Sequence, residues 1–304
     1  MTSICLPDET ARQHVQPLPD GIEVVVWDGN CSPMPAVDGV DMLVPSYGTA
    51  APGAAVVARY SNLRVIQLLT AGVEPWLDLV PPGVVLCDGR GVHGASTAEL
   101  AVAGVLSLMR ELPRFRDAQL VHRWDHADAD GIDGKRVLVV GAGDIGTRVA
   151  AALEALGAEV TFVARGARDG VRAVGELPQL LPLHEVVVLA LPHTPDPHHL
   201  VDAAFLASMP DGAIVANVAR GAIVDTEALL AELQSRRLRA FLDVVDPEPL
   251  PAEHPLWTAP NLLITPHVGG GTRGWEQRAY QLVRDQVIRL HNGEPLRNVV
   301  TDGY

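Results

Sequence analysis

Three segments in the second half of the sequence each carry one side chain that could act in catalysis. These side chains are Arg220, Glu248 and His267, each placed where a predicted strand runs into a loop. Imidazole titrates near neutral pH, so His267 could transfer a proton, and Glu248 could orient the ring and stabilise the imidazolium. Arg220 is permanently charged, and its forked guanidinium can bind a carboxylate. Each residue alone could be an ordinary surface or ion-pairing group, but the three together favour acid–base chemistry.

A glycine-rich turn lies near the middle of the chain. The apolar run Arg136–Val140 leads into Gly141, Gly143 and Gly146 in the pattern G-x-G-x-x-G, and apolar residues then recur at helical spacing. In such a turn the first glycine permits a tight bend, the second lets a pyrophosphate approach the backbone, and the third lets helix and strand pack closely. The stretch therefore predicts dinucleotide binding.

The residues after the next predicted strand, Val160–Val163, bear on the choice of cofactor. A carboxylate at this point would accept hydrogen bonds from the adenosine ribose of NAD, but the sequence has Ala164 followed by Arg165 and, shortly after, Arg168. Two guanidinium groups would attract a 2'-phosphate. We therefore expect NADP to be preferred, with NAD possible, although both arginines could be ordinary surface residues.

Composition and charge exclude several classes of protein. The chain has 304 residues, of which 48% are hydrophobic, and a formal net charge of −14, which disfavours nucleic acid and anionic membranes as partners. Charged residues and prolines interrupt the first twenty positions where a signal peptide would need an apolar run, and no apolar run reaches membrane-helix length. Three isolated cysteines and the acidic stretch Asp125–Asp133 match no metal-site spacing. We expect a soluble cytoplasmic protein without a bound metal.

The elements that must position these residues follow from the alternation of short β-branched runs with longer amphipathic stretches, which is typical of βαβ units. Near-continuous apolarity in the runs favours parallel sheets covered on both faces. Strands are predicted at Ile22–Trp27, Met42–Val44, Val65–Leu69, Val84–Cys87, Arg136–Val140, Val160–Val163, Val186–Ala190, Ala213–Asn217, Ala240–Val244 and Leu262–Thr265. Helices are predicted at Ala54–Tyr60, Ser96–His122, Ile145–Leu156, Asp202–Ser208, Thr226–Ser235 and Gly274–Asn292.

The segments that carry the three reactive residues closely resemble the signature of the D-isomer-specific 2-hydroxyacid dehydrogenases. Asn217–Gly221, Asp243–Leu250 and Thr265–Gly270 match that family's sequences around its catalytic arginine, glutamate and histidine. Leu69–Val73 is similar to the family's substrate-carboxylate loop, and Leu191–Thr194 to the loop beneath its nicotinamide. The resemblance covers most of the chain and is strongest to the glyoxylate/hydroxypyruvate reductase branch.

The resemblance implies an α/β protein with two Rossmann/flavodoxin-like domains, each built on a parallel sheet, with the cofactor between them. Residues 1–95 and 273–304 would form a substrate domain that is discontinuous in sequence, and residues 96–272 the dinucleotide-binding domain. The predicted helix Ser96–His122 and the arm around Trp124 look like the family's dimer-forming segment, which implies a homodimer.

Roles for individual residues follow from the same resemblance. Arg220, Glu248 and His267 would be catalytic, and Arg220 would hold the substrate carboxylate with the backbone N–H groups of Ala71, Gly72 and Val73. The cofactor would be bound by Gly141, Gly143, Asp144, Ile145, Gly146, Arg165, Arg168, Leu191, Pro192, Thr194, Val218, Ala219, Asp243 and Gly269. Tyr47, Gly48, Trp76 and Trp275 could shape the pocket for the substrate side chain, but apolar packing is the simpler explanation for any one of them.

The resemblance implies interconversion of a small 2-keto acid and its D-2-hydroxy acid, with His267 as acid and base. Other members of the family suggest two alternatives, a phosphite-type dehydrogenase and a nucleotide-sensing co-regulator without turnover. Formate-specific relatives place glutamine where Glu248 stands, which argues against formate. The sequence leaves the identity of the keto acid and the physiological direction open.

Overall fold

The chain forms two compact units that differ in how they are assembled from the sequence. The computed structural model describes residues 1–27, 39–47, 57, 59–191 and 199–301. The first unit combines Met1–His93 with Gly271–Tyr304, and the second unit is the contiguous segment Gly94–Gly270. Each unit contains one parallel β-sheet, so the expected α/β class with two parallel sheets is confirmed.

The sheet of the first unit has the strand order β2-β1-β3-β4-β5, which is the flavodoxin-like order, and all its pairings are parallel. Its described strands are β1 (Thr2–Leu6), β2 (Ile22–Val26), β3 (Met42–Leu43), β4 (Val65–Gln67) and β5 (Val85–Cys87).

The sheet of the second unit has the order β12-β11-β10-β9-β6-β7-β8 and is also parallel throughout. The first strand of this unit, β6, lies inside the sheet, and β7 and β8 follow it toward one edge. The chain then crosses to the other side of β6, where β9 to β12 follow in order toward the opposite edge. This is the Rossmann topology, whose switch point lies between β6 and β9. Its described strands are β6 (Arg136–Val140), β7 (Glu159–Ala164), β8 (Val171–Ala173), β9 (Val186–Leu189), β10 (Ile214–Asn217), β11 (Arg239–Leu242) and β12 (Leu262–Ile264).

Helices connect the strands in both units. The described α-helices are α1 (Glu9–His14), α2 (Gly94–Met109), α3 (Leu112–Leu120), α4 (Asp144–Ala155), α5 (Leu177–Leu180), α6 (Ala203–Ala207), α7 (Thr226–Gln234) and α8 (Trp275–Asn292). Short 3-10 turns occur at Glu74–Leu79, Val174–Glu176, Leu181–Leu183, Gly221–Ile223 and Pro255–Thr258.

The apolar strands of the second unit are buried because helices cover both faces of the sheet. Alternate residues of β6 enter different cores: Val137 and Val139 pack on the side of α2 and α4, and Leu138 and Val140 on the other side. Removing such a side chain from water contributes about 1.5–3 kcal/mol. The sheet can therefore hold the loops at its carboxyl edge in fixed positions.

In the first unit, the helix α8 packs against the first strand of the chain, β1, and shares a core with it. Ala279, Val283 and Val287 recur at helical spacing on one face of α8 and are fully buried in the same cluster as Ile4 and Leu6. Residues 271–304 are therefore an integral part of this unit.

The prediction of one long helix over Ser96–His122 is wrong. The structure has two helices there, α2 and α3, separated by Glu111 in the left-handed conformation (φ 55°). Pro113 lies in the first turn of α3, where its missing N–H is harmless, whereas inside a helix it would break the hydrogen-bond ladder. The strands β1 and β8 and the helices α1 and α5 were not predicted, and the predicted helix Ala54–Tyr60 falls mostly outside the described residues.

Candidate active site

The glycine-rich turn forms the floor of a cleft at the carboxyl ends of β6, β7 and β9. Gly141 has φ +118°, and a side chain there would clash with the backbone of Ala190. A side chain at Gly146 would clash with the Gly141 carbonyl, so helix α4 packs directly on the turn. Gly143, the N-cap of α4, instead faces open space: a β-carbon at this position would contact none of the described residues within 4 Å beyond its chain neighbours. The turn therefore leaves a gap in front of a helix N-terminus, where phosphate groups bind favourably.

The cleft above this turn has a volume of about 430 Å³ and includes both arginines that follow β7. Arg168 donates from Nη2 to the Ala142 carbonyl at 3.2 Å, so its guanidinium lies against the glycine turn. Arg165 and Leu191 also line the cleft. A nicotinamide dinucleotide fits this donor set, because the open cradle at Gly143 suits a pyrophosphate and the arginines suit a further phosphate.

Two other residues expected to bind the cofactor lie at the start of α4. Asp144 accepts a hydrogen bond from Nε of Arg148 at 2.7 Å, one turn later on the helix. Ile145 is half-buried and packs on the core beneath. Pro192 and Thr194 lie outside the described residues.

Glu248 and His267 form a direct pair in the second unit. The Nδ1 atom of His267 is 2.9 Å from Oε2 of Glu248, and because the carboxylate can only accept, Nδ1 carries the proton. Oε1 of Glu248 accepts a second hydrogen bond from the Val245 N–H at 3.1 Å. The side chain of His267 remains 52% exposed. Its Nε2 is the ring nitrogen that does not face this carboxylate.

The pair alters the titration of both partners. The hydrogen bond to Glu248 and the negative charges of Glu248 and Asp243 raise the pKa of His267, against the opposing effects of burial and of Arg220. Burial raises the pKa of Glu248, but its hydrogen bonds from His267 and Val245 and the nearby positive charges outweigh this and lower it. The pair thus favours an ionised Glu248 beside a protonated His267.

Asp243, at the end of β11, fixes the loop that carries His267. It is 3% exposed, and its carboxylate accepts hydrogen bonds from the Thr265 hydroxyl at 2.6 Å and the Val268 and Gly269 N–H groups at 2.9 Å. Its backbone carbonyl accepts from the His267 N–H at 2.8 Å. The sequence interpretation assigned Asp243 and Gly269 to the cofactor and did not foresee this clamp, and the cofactor role stays a prediction.

A similar clamp holds the segment before Arg220. Asn217 is fully buried at the end of β10; its side-chain amide donates to the Arg220 carbonyl at 2.9 Å, and its oxygen accepts from the Ala219 N–H at 3.0 Å. A side chain on Gly221 would clash with the Val245 carbonyl, so the loops that carry Arg220 and Glu248 touch at the backbone. Val218 and Ala219 are buried between these contacts. Sequence reasoning did not assign Asn217 a role, although it directly precedes the assigned turn.

The proposed carboxylate loop belongs to the first unit. The Thr70 hydroxyl donates to the Gly72 carbonyl at 2.9 Å, and the Thr70 carbonyl accepts from the Gly89 N–H at 2.7 Å. These bonds fix the turn that contains Ala71 and Gly72, while Val73 is fully buried. Within this unit the loop follows the carboxyl end of β4, the edge at which open α/β sheets bind ligands.

Neither a metal centre nor a membrane span is found in the described part of the chain. No group of three or more histidine, cysteine, aspartate or glutamate side chains is arranged to hold a metal ion among those residues. None of the described helices combines the length and apolarity needed to span a bilayer.

Comparison with known proteins agrees with the nucleotide cleft and the Rossmann topology. Residues 102–269 match the family model "D-isomer specific 2-hydroxyacid dehydrogenase, NAD binding domain". The chain belongs to the D-isomer specific 2-hydroxyacid dehydrogenase family. It is 32% identical over 253 residues to glyoxylate/hydroxypyruvate reductase A of Klebsiella pneumoniae, covering 78% of this chain and 80% of that protein.

Two solved structures resemble the whole chain. A D-isomer specific 2-hydroxyacid dehydrogenase from Xanthobacter autotrophicus, in complex with NADPH and MES, has a TM-score of 0.84 at 29% identity and covers 99% of this chain and 98% of that one. An NADPH-dependent glyoxylate/hydroxypyruvate reductase from Sinorhizobium meliloti, in complex with NADP and sulfate, has a TM-score of 0.83 at 25% identity, with the same coverage of both chains.

Proposed function

We propose that this protein is an NADP(H)-preferring reductase that converts a small 2-keto acid into its D-2-hydroxy acid. The observation that carries the proposal is the pair of Glu248 and His267, in which the carboxylate binds Nδ1 of the imidazole, in the same unit as a nucleotide cleft. The names of the Klebsiella and Sinorhizobium relatives support glyoxylate and hydroxypyruvate as the first substrates to test.

The proposed reaction uses three groups of this chain. Arg220 binds the substrate carboxylate with its forked guanidinium and orients the ketone. Nε2 of protonated His267 donates its proton to the carbonyl oxygen as C2 is reduced, and Glu248 stabilises the imidazolium until then. Bound NADPH supplies the hydride. The balance is one keto acid, one NADPH and one proton giving one hydroxy acid and NADP⁺.

The cofactor preference is proposed from the cleft beyond β7. Ala164 stands where a ribose-binding carboxylate would lie in an NAD site, and Arg165 and Arg168 line the same cleft. Both solved relatives described above carry NADPH or NADP, which supports the same choice. NAD could still be used, because a guanidinium does not exclude a 2'-hydroxyl.

A homodimer is proposed as the assembled state. Large apolar side chains are exposed on α3 and in the segment after it, and a dimer contact would remove them from water. They are Leu112, Leu120, Val121 and Trp124, with exposed fractions from 52% to 94%. We propose a two-fold dimer that buries these side chains, since the two-fold dimer is the commonest type of oligomer.

A panel of 2-keto acids tests the proposed function. The protein is assayed with glyoxylate, hydroxypyruvate and pyruvate, each with NADPH and NADH, by the loss of absorbance of the reduced nicotinamide, and in a separate arm with phosphite and NADP⁺. We expect keto-acid reduction that is fastest with NADPH. Turnover with phosphite but with none of the keto acids would identify phosphite as the substrate. Cofactor binding without turnover of any compound would favour a nucleotide sensor.

A further inference from the structure

Asn217 is a fully buried polar residue at the end of β10, where the chain leaves the sheet of the second unit. Its carbonyl accepts a hydrogen bond from the Asp243 N–H at 3.0 Å, and the next N–H in the chain, that of Val218, donates to the Leu189 carbonyl at 3.3 Å. These bonds join the end of β10 to both neighbouring strands, β11 and β9. The side chain of Asn217 therefore starts from a point that the sheet holds in place.

The Asn217 carboxamide bonds to the backbone on both sides of one peptide group. Its oxygen accepts from the Ala219 N–H at 3.0 Å, and its nitrogen donates to the Arg220 carbonyl at 2.9 Å. The peptide group that joins Ala219 to Arg220 lies between these two atoms. Because both flanking backbone groups are tied to one rigid side chain, the direction of the Ala219 carbonyl is fixed.

The Ala219 carbonyl in turn holds the side chain of Arg220. Nη1 of Arg220 donates to this carbonyl at 2.7 Å, and a hydrogen bond from a charged donor is stronger than one between neutral groups. The arginine side chain has several rotatable bonds, so this contact selects one of many directions for the guanidinium. A chain of hydrogen bonds thus runs from the buried carboxamide of Asn217 to the charged group of Arg220.

The direction of the Arg220 guanidinium matters for the reactive histidine of the same unit. The hydrogen bond to Glu248 raises the pKa of His267, the negative charge of Asp243 adds to this rise, and the positive charge of Arg220 opposes it. Arg220 is therefore close enough to His267 for its charge to act on the ring. The two groups can act on the same small molecule.

We propose that Asn217 is a positioning residue of the proposed reaction, which directs the Arg220 guanidinium toward the substrate carboxylate. This inference rests on the proposed function, because it takes the substrate to be a 2-keto acid. Since the side chain of Asn217 is fully buried, it acts on the substrate only through Arg220. Its loss should therefore weaken the binding of the keto acid and leave the binding of NADPH, whose phosphates belong at the glycine turn, almost unchanged.

Two substitutions test this role. Asn217→Ala removes both side-chain hydrogen bonds, whereas Asn217→Asp keeps the acceptor for the Ala219 N–H and, when ionised, loses the donor to the Arg220 carbonyl. Each should raise KM for glyoxylate by at least about tenfold and change the dissociation constant of NADPH by less than about twofold. At low pH a protonated carboxyl can donate again, so the KM of Asn217→Asp relative to that of the parent should decrease as the pH falls.

A double-mutant cycle tests whether Asn217 acts through Arg220. In the background of Arg220→Ala, the further substitution Asn217→Ala should lower the remaining kcat/KM by less than about twofold, because the guanidinium that Asn217 directs is gone. A residue that only stabilised the fold would lower kcat/KM by the same factor in both backgrounds, and that result would overturn the proposal.

The same two substitutions at Asn261 are the matched controls. Asn261 belongs to the same unit, and its side chain also donates to a backbone carbonyl, that of Leu238, at 3.5 Å. It directly precedes β12 and thus lies at the amino edge of the sheet, opposite the reactive residues, so both control variants should keep the parental KM.

The outcomes separate this inference from the proposed function. If Asn217→Ala does not fold, Asn217→Asp carries the test. Failure of the parent enzyme to reduce any keto acid would refute the proposed function. Reduction by the parent together with a KM that changes less than about twofold in the Asn217 variants would refute the positioning role alone. Equal losses of affinity for glyoxylate and NADPH would refute it as well, because they would show a general loss of structure.

Discussion

The two carboxylate oxygens of Glu248 have different partners: Oε2 lies 2.9 Å from Nδ1 of His267, while Oε1 accepts a hydrogen bond from the Val245 N–H. The carboxylate is thereby anchored to its own loop, and the imidazole is anchored to the carboxylate. This geometry fixes which nitrogen faces away from the pair and raises the pKa of His267. Its main consequence is for the pH dependence of the proposed reaction.

Replacing Glu248 with glutamine should move the pH profile of keto-acid reduction to lower pH. Reduction needs protonated His267, so the rate falls as pH rises through the pKa of that histidine, which Glu248 raises. Glutamine removes the negative charge, and the fall should begin at a lower pH. The measurement is kcat/KM for the keto acid against pH. Glu253→Gln removes an exposed charge that does not act on His267 and should not move the profile. An unshifted profile in Glu248→Gln would exclude the assigned role.

Replacing His267 with alanine should lower kcat by roughly 10²- to 10⁴-fold, because the proton donor is lost. The dissociation constant of NADPH should change little, since the glycine turn and Arg165 lie elsewhere in the second unit. Steady-state kinetics and fluorescence titration measure the two quantities. His126→Ala, at an exposed position, serves as the control. A variant that retains most of its turnover would show that another group donates the proton.

Replacing Arg220 with lysine should raise KM for the keto acid and lower kcat. Lysine keeps the charge but loses the fork that matches a carboxylate, and we expect at least about a tenfold loss in kcat/KM. Arg236→Lys, on the exposed turn after α7, should behave like the parent. An unchanged KM in Arg220→Lys would mean that the carboxylate is bound elsewhere.

The parent enzyme should use NADPH with at least about tenfold higher catalytic efficiency than NADH, or roughly 1.4 kcal/mol. Arg165→Ala should abolish most of this preference through a higher KM for NADPH. Arg172 pairs with Glu176 at 3.4 Å, and the control variant Arg172→Ala should retain the preference for NADPH. Equal efficiency of the parent with both cofactors would contradict the prediction.

Light scattering should give the mass of a dimer at micromolar concentration. Trp124→Glu places a charge on a side chain that is 94% exposed in the single chain and should shift the protein toward monomer. Asp128→Asn, at an exposed position in the following loop, should leave the mass unchanged. A monomeric parent would refute the proposed assembly.

Much of the fold could be predicted because its signals are local. Arg136–Val140 is apolar at every position but the first, and the glycine pattern that follows has a steric reason at Gly141 and Gly146. The break at Glu111 was missed because the apolar periodicity continues across it, although Pro113 was visible in the sequence. The short edge strand β8 has too few residues to show a pattern.

The supporting contacts of the candidate site could not be predicted because they depend on register between distant segments. Asn217 is the last residue of β10, and Asp243 directly follows the neighbouring strand β11. The loops after these strands decide which groups the two side chains reach. The ring contact between Tyr47 and Trp275, whose centroids are 4.3 Å apart, likewise joins residues that are far apart in the sequence. The residue types and their spacing in the sequence indicated the reactive residues, but they did not indicate the residues that hold the reactive side chains in place.

The division of the first unit between the two ends of the sequence has a consequence for synthesis on the ribosome. The contiguous second unit can bury its core once β12 has emerged, although it begins after residue 93. The first unit is translated earlier but cannot cover Ile4 and Leu6 until α8 has left the exit tunnel. We therefore expect the second unit to complete its core first, which would reverse the usual N-terminus-first order of folding.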